Sequence, residues 1–114
     1  MKARIYHNPR CSKSRATLAL LTDRAVDFVV VDYLATPLSA AKLRELAHKL
    51  GAPALSLVRT DEPEFRAYAG RTLSDDEIFD LLAAQPRLLQ RPIVELGDQA
   101  RIGRPPERVL ELLE

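Results

Sequence analysis

Two apolar runs, residues 2–6 and Val26-Asp27-Phe28-Val29-Val30-Val31, stand about one helix apart, and the stretch between them opens at Cys11 or Ser12 with Leu18 and Leu21 on one helical face. The second run is β-branched and almost unbroken, the composition of a strand covered on both faces. Strand, helix and strand within 31 residues make a βαβ unit. Parallel strands cannot be joined by a tight turn, so the helix must cross the sheet, and the crossover is expected to be right-handed. This unit commits the N-terminal part of the chain to a sheet with a helix against it.

The rest of the chain adds helices first and strands later. After the start signal Thr36-Pro37, a helix is expected to about Leu50, with Leu43, Leu46, Ala47 and Leu50 at i, i+3, i+4 and i+7 and Gly51 as its stop. Residues 54–72 read as short helical turns broken by Pro63 and Gly70. Ser74-Asp75-Asp76-Glu77 has the spacing of a capping box and leads a helix with Ile78, Leu81 and Leu82 on one stripe, ending before Pro86. The period then falls to two. Ile93-Val94 and residues 99–102 are expected to pair as strands around a turn at Gly97-Asp98. Pro105-Pro106 opens a last helix whose buried face is expected to hold Val109, Leu112 and Leu113. This order is that of an α/β chain of thioredoxin-like type, βαβ…ββα, with a helical insertion between the second and third strands. Residues 1–114 are expected to form a single domain, since no linker, repeat or low-complexity stretch divides them.

Charge and composition narrow the function classes. A formal net charge of +1, from 17 basic and 16 acidic residues, provides no basic face for nucleic acid or an anionic membrane. Of those 17 basic residues, 13 are arginines, whose forked donors suit bidentate binding of oxyanions. The start Met1-Lys2-Ala3-Arg4-Ile5-Tyr6 turns polar before any apolar segment of leader or bilayer length develops, so a cytoplasmic location is expected. A single cysteine permits no internal disulfide, and a free thiol belongs in a reducing compartment. One cysteine and two distant histidines are too few soft ligands, so no metal site is expected.

The cysteine lies in His7-Asn8-Pro9-Arg10-Cys11-Ser12-Lys13-Ser14-Arg15, after the first strand and at the head of the first helix. A helix N-terminus offers unpaired backbone N–H groups and the positive end of the dipole, both of which stabilise an anion. Cysteines so placed titrate as low as roughly 3.5–7.5, against about 8.5 for a free thiol. Arg10, Lys13 and Arg15, with His7 nearby, add positive charge that favours a thiolate and an anionic substrate alike. A buried structural cysteine is the other reading, and the polar neighbours argue against it. Arg59, Arg91 and Arg104 each stand at an element boundary, from which they either reach the end of the sheet or lie solvated on the surface; periodicity does not choose. His7 either contacts the thiolate or ends the strand. His48, near a helix C-terminus, suits the helix dipole as a solvated side chain.

Tyr6-His7-Asn8-Pro9-Arg10-Cys11-Ser12-Lys13-Ser14-Arg15 resembles the active-site signature of the glutaredoxin-coupled arsenate reductase family, and Asp32-Tyr33-Leu34-Ala35-Thr36-Pro37 resembles its segment after the second strand. Leu57-Val58-Arg59, Gln90-Arg91-Pro92-Ile93-Val94 and Gly103-Arg104-Pro105 resemble, in order, the regions that supply the family's three substrate arginines. The resemblance implies Cys11 as the catalytic nucleophile, Arg59, Arg91 and Arg104 as substrate-binding residues, and His7, Ser14 and Arg15 as local support. It also implies a cis bond before Pro92. Arsenate or a related oxyanion is the implied substrate, glutathione the co-substrate and glutaredoxin the protein partner, with no bound cofactor. The likeness is to the short form of the family, without the C-terminal extension of the plasmid-type reductases, and Arg10 stands where the family often has a small residue.

With no second cysteine, Cys11…Ser14 is a monothiol version of the C-x-x-C arrangement, and electrons must come from outside the chain. Phosphatase-like arsenate reductases need a Cys-x5-Arg loop, but Thr17 occupies the arginine's place. Two other readings stay open. One is a glutathione-linked thiol oxidoreductase of the same fold with a different substrate. The other is a regulatory adaptor like the thioredoxin-fold transcription regulators that bind RNA polymerase, whose usual C-x-x-C switch is removed here by Ser14.

Overall fold

The computed structural model, which describes residues 2–68 and 70–114, contains a four-stranded sheet in the order β2-β1-β3-β4. The strands are β1 (Ala3–Tyr6), β2 (Phe28–Val31), β3 (Ile93–Leu96) and β4 (Gln99–Ile102). β1 runs parallel to β2, with Ala3 opposite Phe28, and antiparallel to β3, with Ile5 opposite Val94; β3 and β4 form the expected hairpin. Helices α1 (Ser12–Asp23), α2 (Ala40–Leu50) and α3 (Asp75–Ala84) are joined by 3₁₀ segments at Ala54–Leu57, Pro63–Tyr68, Pro86–Leu88 and Pro106–Leu113. The βαβ…ββα order with helices inserted between β2 and β3 is therefore the thioredoxin-like one. Among the described residues no helix is long and apolar enough to cross a membrane.

The pleat sorts the core. Successive strand side chains face opposite ways, so Ala3 and Ile5 of β1 and Val94 of β3 pack with Leu21 of α1, Val109 and Leu112 on one side. Tyr6, Ile93 and Ala100 pack with Leu43, Leu46, Ile78, Phe79 and Leu82 of α2 and α3 on the other. Each large apolar side chain so buried contributes about 1.5–3 kcal/mol. Both layers anchor the middle of the sheet, and the ends of the strands are free to carry polar residues.

Caps fix where the helices begin. Ser39 Oγ accepts the Lys42 N–H at 3.1 Å, so α2 starts at Ala40 and not at Thr36-Pro37. The chain before it is held by Asp32, whose side chain accepts from the N–H groups of Leu34 and Ala35 at 3.1 Å. Gly51, at φ 65°, closes α2 in the left-handed conformation expected of a stop. The capping box at Ser74 and Glu77 is present at the head of α3.

Three expectations need correction. Residues 28–31 form the edge strand of the sheet, and Val29 and Val30 are 38% and 50% exposed, so this run is not covered on both faces. With only four strands, the helices pack over the centre and leave the outer part of β2 bare. The C-terminal segment is 3₁₀, with three residues per turn, so Pro106, Val109 and Leu112 align and are buried while Leu113 rotates out to 39% exposure. Pro63 opens a helical turn, as proline suits a first helical position, where a break was expected.

Candidate active site

The site grows from the β1–α1 loop. The His7 N–H extends the β1–β2 ladder to the Val31 carbonyl at 3.0 Å, and Asn8 then folds the chain around itself. Its N–H donates to Ser14 Oγ at 3.1 Å, its side-chain oxygen accepts the Arg10 N–H at 2.9 Å, and its carbonyl accepts the Cys11 N–H at 3.0 Å. Arg15 donates from its guanidinium to the Pro9 carbonyl at 2.9 Å, pinning the loop from outside. Cys11 is thereby the N-cap residue of α1, in extended conformation, with the free N–H groups of the first turn around its sulfur.

Burial pushes the Cys11 thiol up, but the N–H groups of Ser14 and Lys13 and the charges of Arg91 and Arg104 outweigh it and hold the thiol below its ordinary range. Arg104 comes nearest, with Nη2 donating to Sγ at 3.8 Å while its Nε donates to the Arg91 carbonyl at 2.9 Å. The chain can bring Arg104 this close only because residue 103 is glycine. A Cβ there would lie 2.6 Å from Thr17 Oγ1 and 2.8 Å from Pro92 Cγ. The Gly103 N–H donates to the Pro92 carbonyl at 2.9 Å, and the Arg91–Pro92 and Arg104–Pro105 bonds are both cis.

Arg59 arrives by a separate route. Its N–H donates to the Leu88 carbonyl and the Gln90 N–H donates to the Leu57 carbonyl, both at 2.7 Å, so the Arg59 segment is strapped to the one that leads to Arg91. Arg59 and Arg91 line an open cleft of about 450 Å³ with Asn8, Arg10, Tyr33 and Glu62, and the Arg59 guanidinium is paired there with Glu62. Tyr33, 1% exposed, sits within the fields of Arg91, Cys11 and Arg59. Burial first, and then the Cys11 charge, raise its hydroxyl to about 12 against the opposing arginines and Asn8. At the end of the sheet where β1, β2 and β4 finish and β3 begins, Arg91 and Arg104 thus act on Cys11, and Arg59 shares the open cleft with Arg91.

The supporting residues divide. Ser14 is fully buried and holds the loop, and Arg15 does the same from the surface. His7 is 8% exposed, and burial, with the Arg15 charge, lowers it against the pull of Asp32, so the ring is neutral near pH 7. Its Nδ1 has no hydrogen-bond partner among the described residues, so that atom does not bond the thiol. His48 lines a separate hollow beside Arg44 and Phe79. Tyr33 and Glu62 escaped the sequence reading. Tyr33 had one legible signal, its place just past the C-terminal end of a parallel strand, where ligands of α/β sheets gather; Glu62 had only its three-residue spacing from Arg59.

Fold and site together define a thioredoxin-like protein that presents one thiol, at a helix N-terminus, to guanidinium groups. Residues 6–112 match the ArsC family, and the chain belongs to that family. It is 46% identical over 115 residues to the uncharacterized protein YfgD of Escherichia coli (strain K12), covering 98% of this chain and 97% of that one. It is 41% identical over 116 residues to an arsenate reductase of Haemophilus influenzae, covering 99% and 100% of the two chains. Among solved structures, the arsenate reductase of Vibrio cholerae superposes with a TM-score of 0.93 at 44% identity, covering 97% of each chain.

Proposed function

We propose that this protein reduces arsenate to arsenite, with Cys11 as nucleophile and with glutathione and glutaredoxin supplying the electrons. The observation that carries the reading is the placement of Arg104 Nη2 3.8 Å from Cys11 Sγ, with Arg91 acting on the same thiol. Full-length similarity to arsenate reductases supports it. The Cys11 thiolate attacks arsenic, an oxygen leaves as water after taking up a proton, and a sulfur–arsenic(V) bond forms. Arg59, Arg91 and Arg104 bind the remaining oxygens, and their forked donors suit that task better than lysines would.

Glutathione thiolate then attacks Cys11 Sγ. The sulfur–arsenic bond breaks, its electron pair passes to arsenic, arsenite departs, and Cys11 is left in a mixed disulfide with glutathione. Two thiols have been oxidised to one disulfide and arsenic(V) reduced to arsenic(III), so the step balances. Glutaredoxin attacks the glutathione sulfur and releases the Cys11 thiolate for another round. Such a cycle runs in a reducing compartment, and we place it in the cytoplasm.

A coupled assay with NADPH, glutathione reductase, glutathione and glutaredoxin tests this. Arsenate-dependent NADPH consumption that needs both thiol components is the expected result. Turnover of glutathione mixed disulfides with no response to arsenate would overturn the arsenate reading and favour a different substrate.

A further inference from the structure

Two buried polar atoms without partners belong to residues of the cleft wall. Among the described residues, Tyr33 Oη and Arg91 Nε of the cleft wall are buried with no acceptor or donor paired to them in the hydrogen-bond network, as are His7 Nδ1, Thr17 Oγ1 and Glu64 Oε2 outside its lining. Folded chains rarely leave such groups unpaired, and each instance calls for an explanation. Arg91 already has one as a binder of the oxyanion. Tyr33 has none.

We propose that the Tyr33 hydroxyl is a fourth donor to the bound oxyanion, giving its proton in a hydrogen bond to an oxygen that Arg59, Arg91 and Arg104 do not fully satisfy. This deepens the reading of the site as an arsenate site and rests on it. The position fits. Tyr33 forms part of the cleft wall with Arg59 and Arg91, and the charges of Arg91, Cys11 and Arg59 all act on it. Its proton is also uncommitted. Asn8, whose carbonyl oxygen takes the Arg10 N–H, turns a donor toward the phenol, so it provides the hydroxyl proton with no acceptor.

A tetrahedral oxyanion supplies acceptors, which is what an orphan O–H in the cleft of Arg59 and Arg91 lacks. The phenol stays protonated throughout the working pH range, so it adds a donor without adding a charge next to the thiolate. Solvent does not reach the hydroxyl, so contact requires the arginine side chains of the cleft to shift as the anion enters; long guanidinium side chains, one of them held only by Glu62, can do so.

Tyr33→Phe tests this, because it removes the oxygen and keeps the ring in the core. Arsenate binding is measured by calorimetry on the reduced protein without glutathione, beside thermal unfolding and the pH dependence of Cys11 alkylation. Expected are a Kd for arsenate weaker by roughly ten- to a hundredfold, as for a hydrogen bond to a charged group, and a kcat/KM lowered to match. The Tm should stay close to wild type, since the hydroxyl proton loses no acceptor, and the alkylation midpoint should stay where it was. Arsenate binding within twofold of wild type would overturn the proposal and leave the arsenate reductase reading standing. A shifted alkylation midpoint would also overturn it, because the hydroxyl would then be acting through the thiol. A wild-type protein that neither binds nor reduces arsenate would overturn both.

Discussion

Tyr6 and Tyr33 are equally buried, both 1% exposed, and burial raises both hydroxyls well above the ordinary phenol range. They differ in what the oxygen meets. Tyr6 donates to Glu95 at 2.6 Å, and that carboxylate also accepts from Lys42 at 3.0 Å and from Lys49, with Arg4 at 4.0 Å. Here the hydroxyl, the carboxylate and the cations around it are answered from within the chain. Tyr33 lies within the fields of Cys11, Arg59 and Arg91, and its hydroxyl proton meets no acceptor among the described residues. A network that closes on itself holds a fold together; a network left with surplus donors needs an anion from outside. The contrast separates scaffold from site on hydrogen-bond supply alone.

The largest expected effect breaks one side of the contrast and leaves the other intact. Cys11→Ser should lower arsenate reduction to background, since the oxygen analogue is a far weaker nucleophile near neutral pH, while its thermal unfolding stays close to wild type. Residual turnover at the wild-type rate would show that another group carries the chemistry.

The reverse experiment removes Glu95. Glu95→Ala leaves Lys42 and Lys49 only the half-exposed Glu45 as a partner and the Tyr6 hydroxyl unpaired, and should cost about 3 kcal/mol in denaturant unfolding. The same network predicts a pH dependence. Burial alone would raise the Glu95 carboxyl, but the hydrogen bonds from Lys49, Tyr6 and Lys42 hold it at about 2. A carboxyl depressed by folding stabilises the native state above its unfolded pKa of 4.5, and that contribution is lost as pH falls from there toward about 2. It should amount to roughly 3 kcal/mol in wild type and vanish from the pH profile of Glu95→Ala.

Arg59→Ala, Arg91→Ala and Arg104→Ala come next, each expected to cut kcat/KM for arsenate by about ten- to a hundredfold. Lysine in the same positions should recover only part, since it keeps the charge and loses the fork. The smallest effect draws the contrast most finely: Tyr6→Phe should destabilise the fold by about 1–3 kcal/mol, whereas Tyr33→Phe should not destabilise it at all. Equal losses of stability in the two variants would erase the distinction between the regions.

Legibility in the sequence followed the range of the interactions. The βαβ unit, the Ser74 capping box, the Gly51 stop and the β3–β4 hairpin rest on neighbours a few residues apart, and each stands as read. The exposure of Val29 and Val30 was hidden because a β-branched run has the same composition in a central strand as at an edge. Leu113 was misplaced because apolar residues at 109, 112 and 113 satisfy a helix of 3.6 residues per turn as well as one of three. Glu95, within Ile93-Val94-Glu95-Leu96, gives no local sign that two lysines from α2 bury it. Cys11 was marked by its own segment. Arg59, Arg91 and Arg104 were candidates only, since the placement of Arg59 beside Arg91 depends on the strap between Leu57 and Gln90 and that of Arg104 on the close approach at Gly103.

The central claim is that the surplus donors around Cys11 form an oxyanion site in which the thiol is already activated. The rate of Cys11 alkylation by iodoacetamide, followed against arsenate concentration near neutral pH and without glutathione, tests it most directly. The account predicts labelling faster than that of an ordinary thiol, slowed saturably by arsenate, with the protection lost in Arg91→Ala. Labelling no faster than free cysteine and indifferent to arsenate at millimolar concentrations would contradict it.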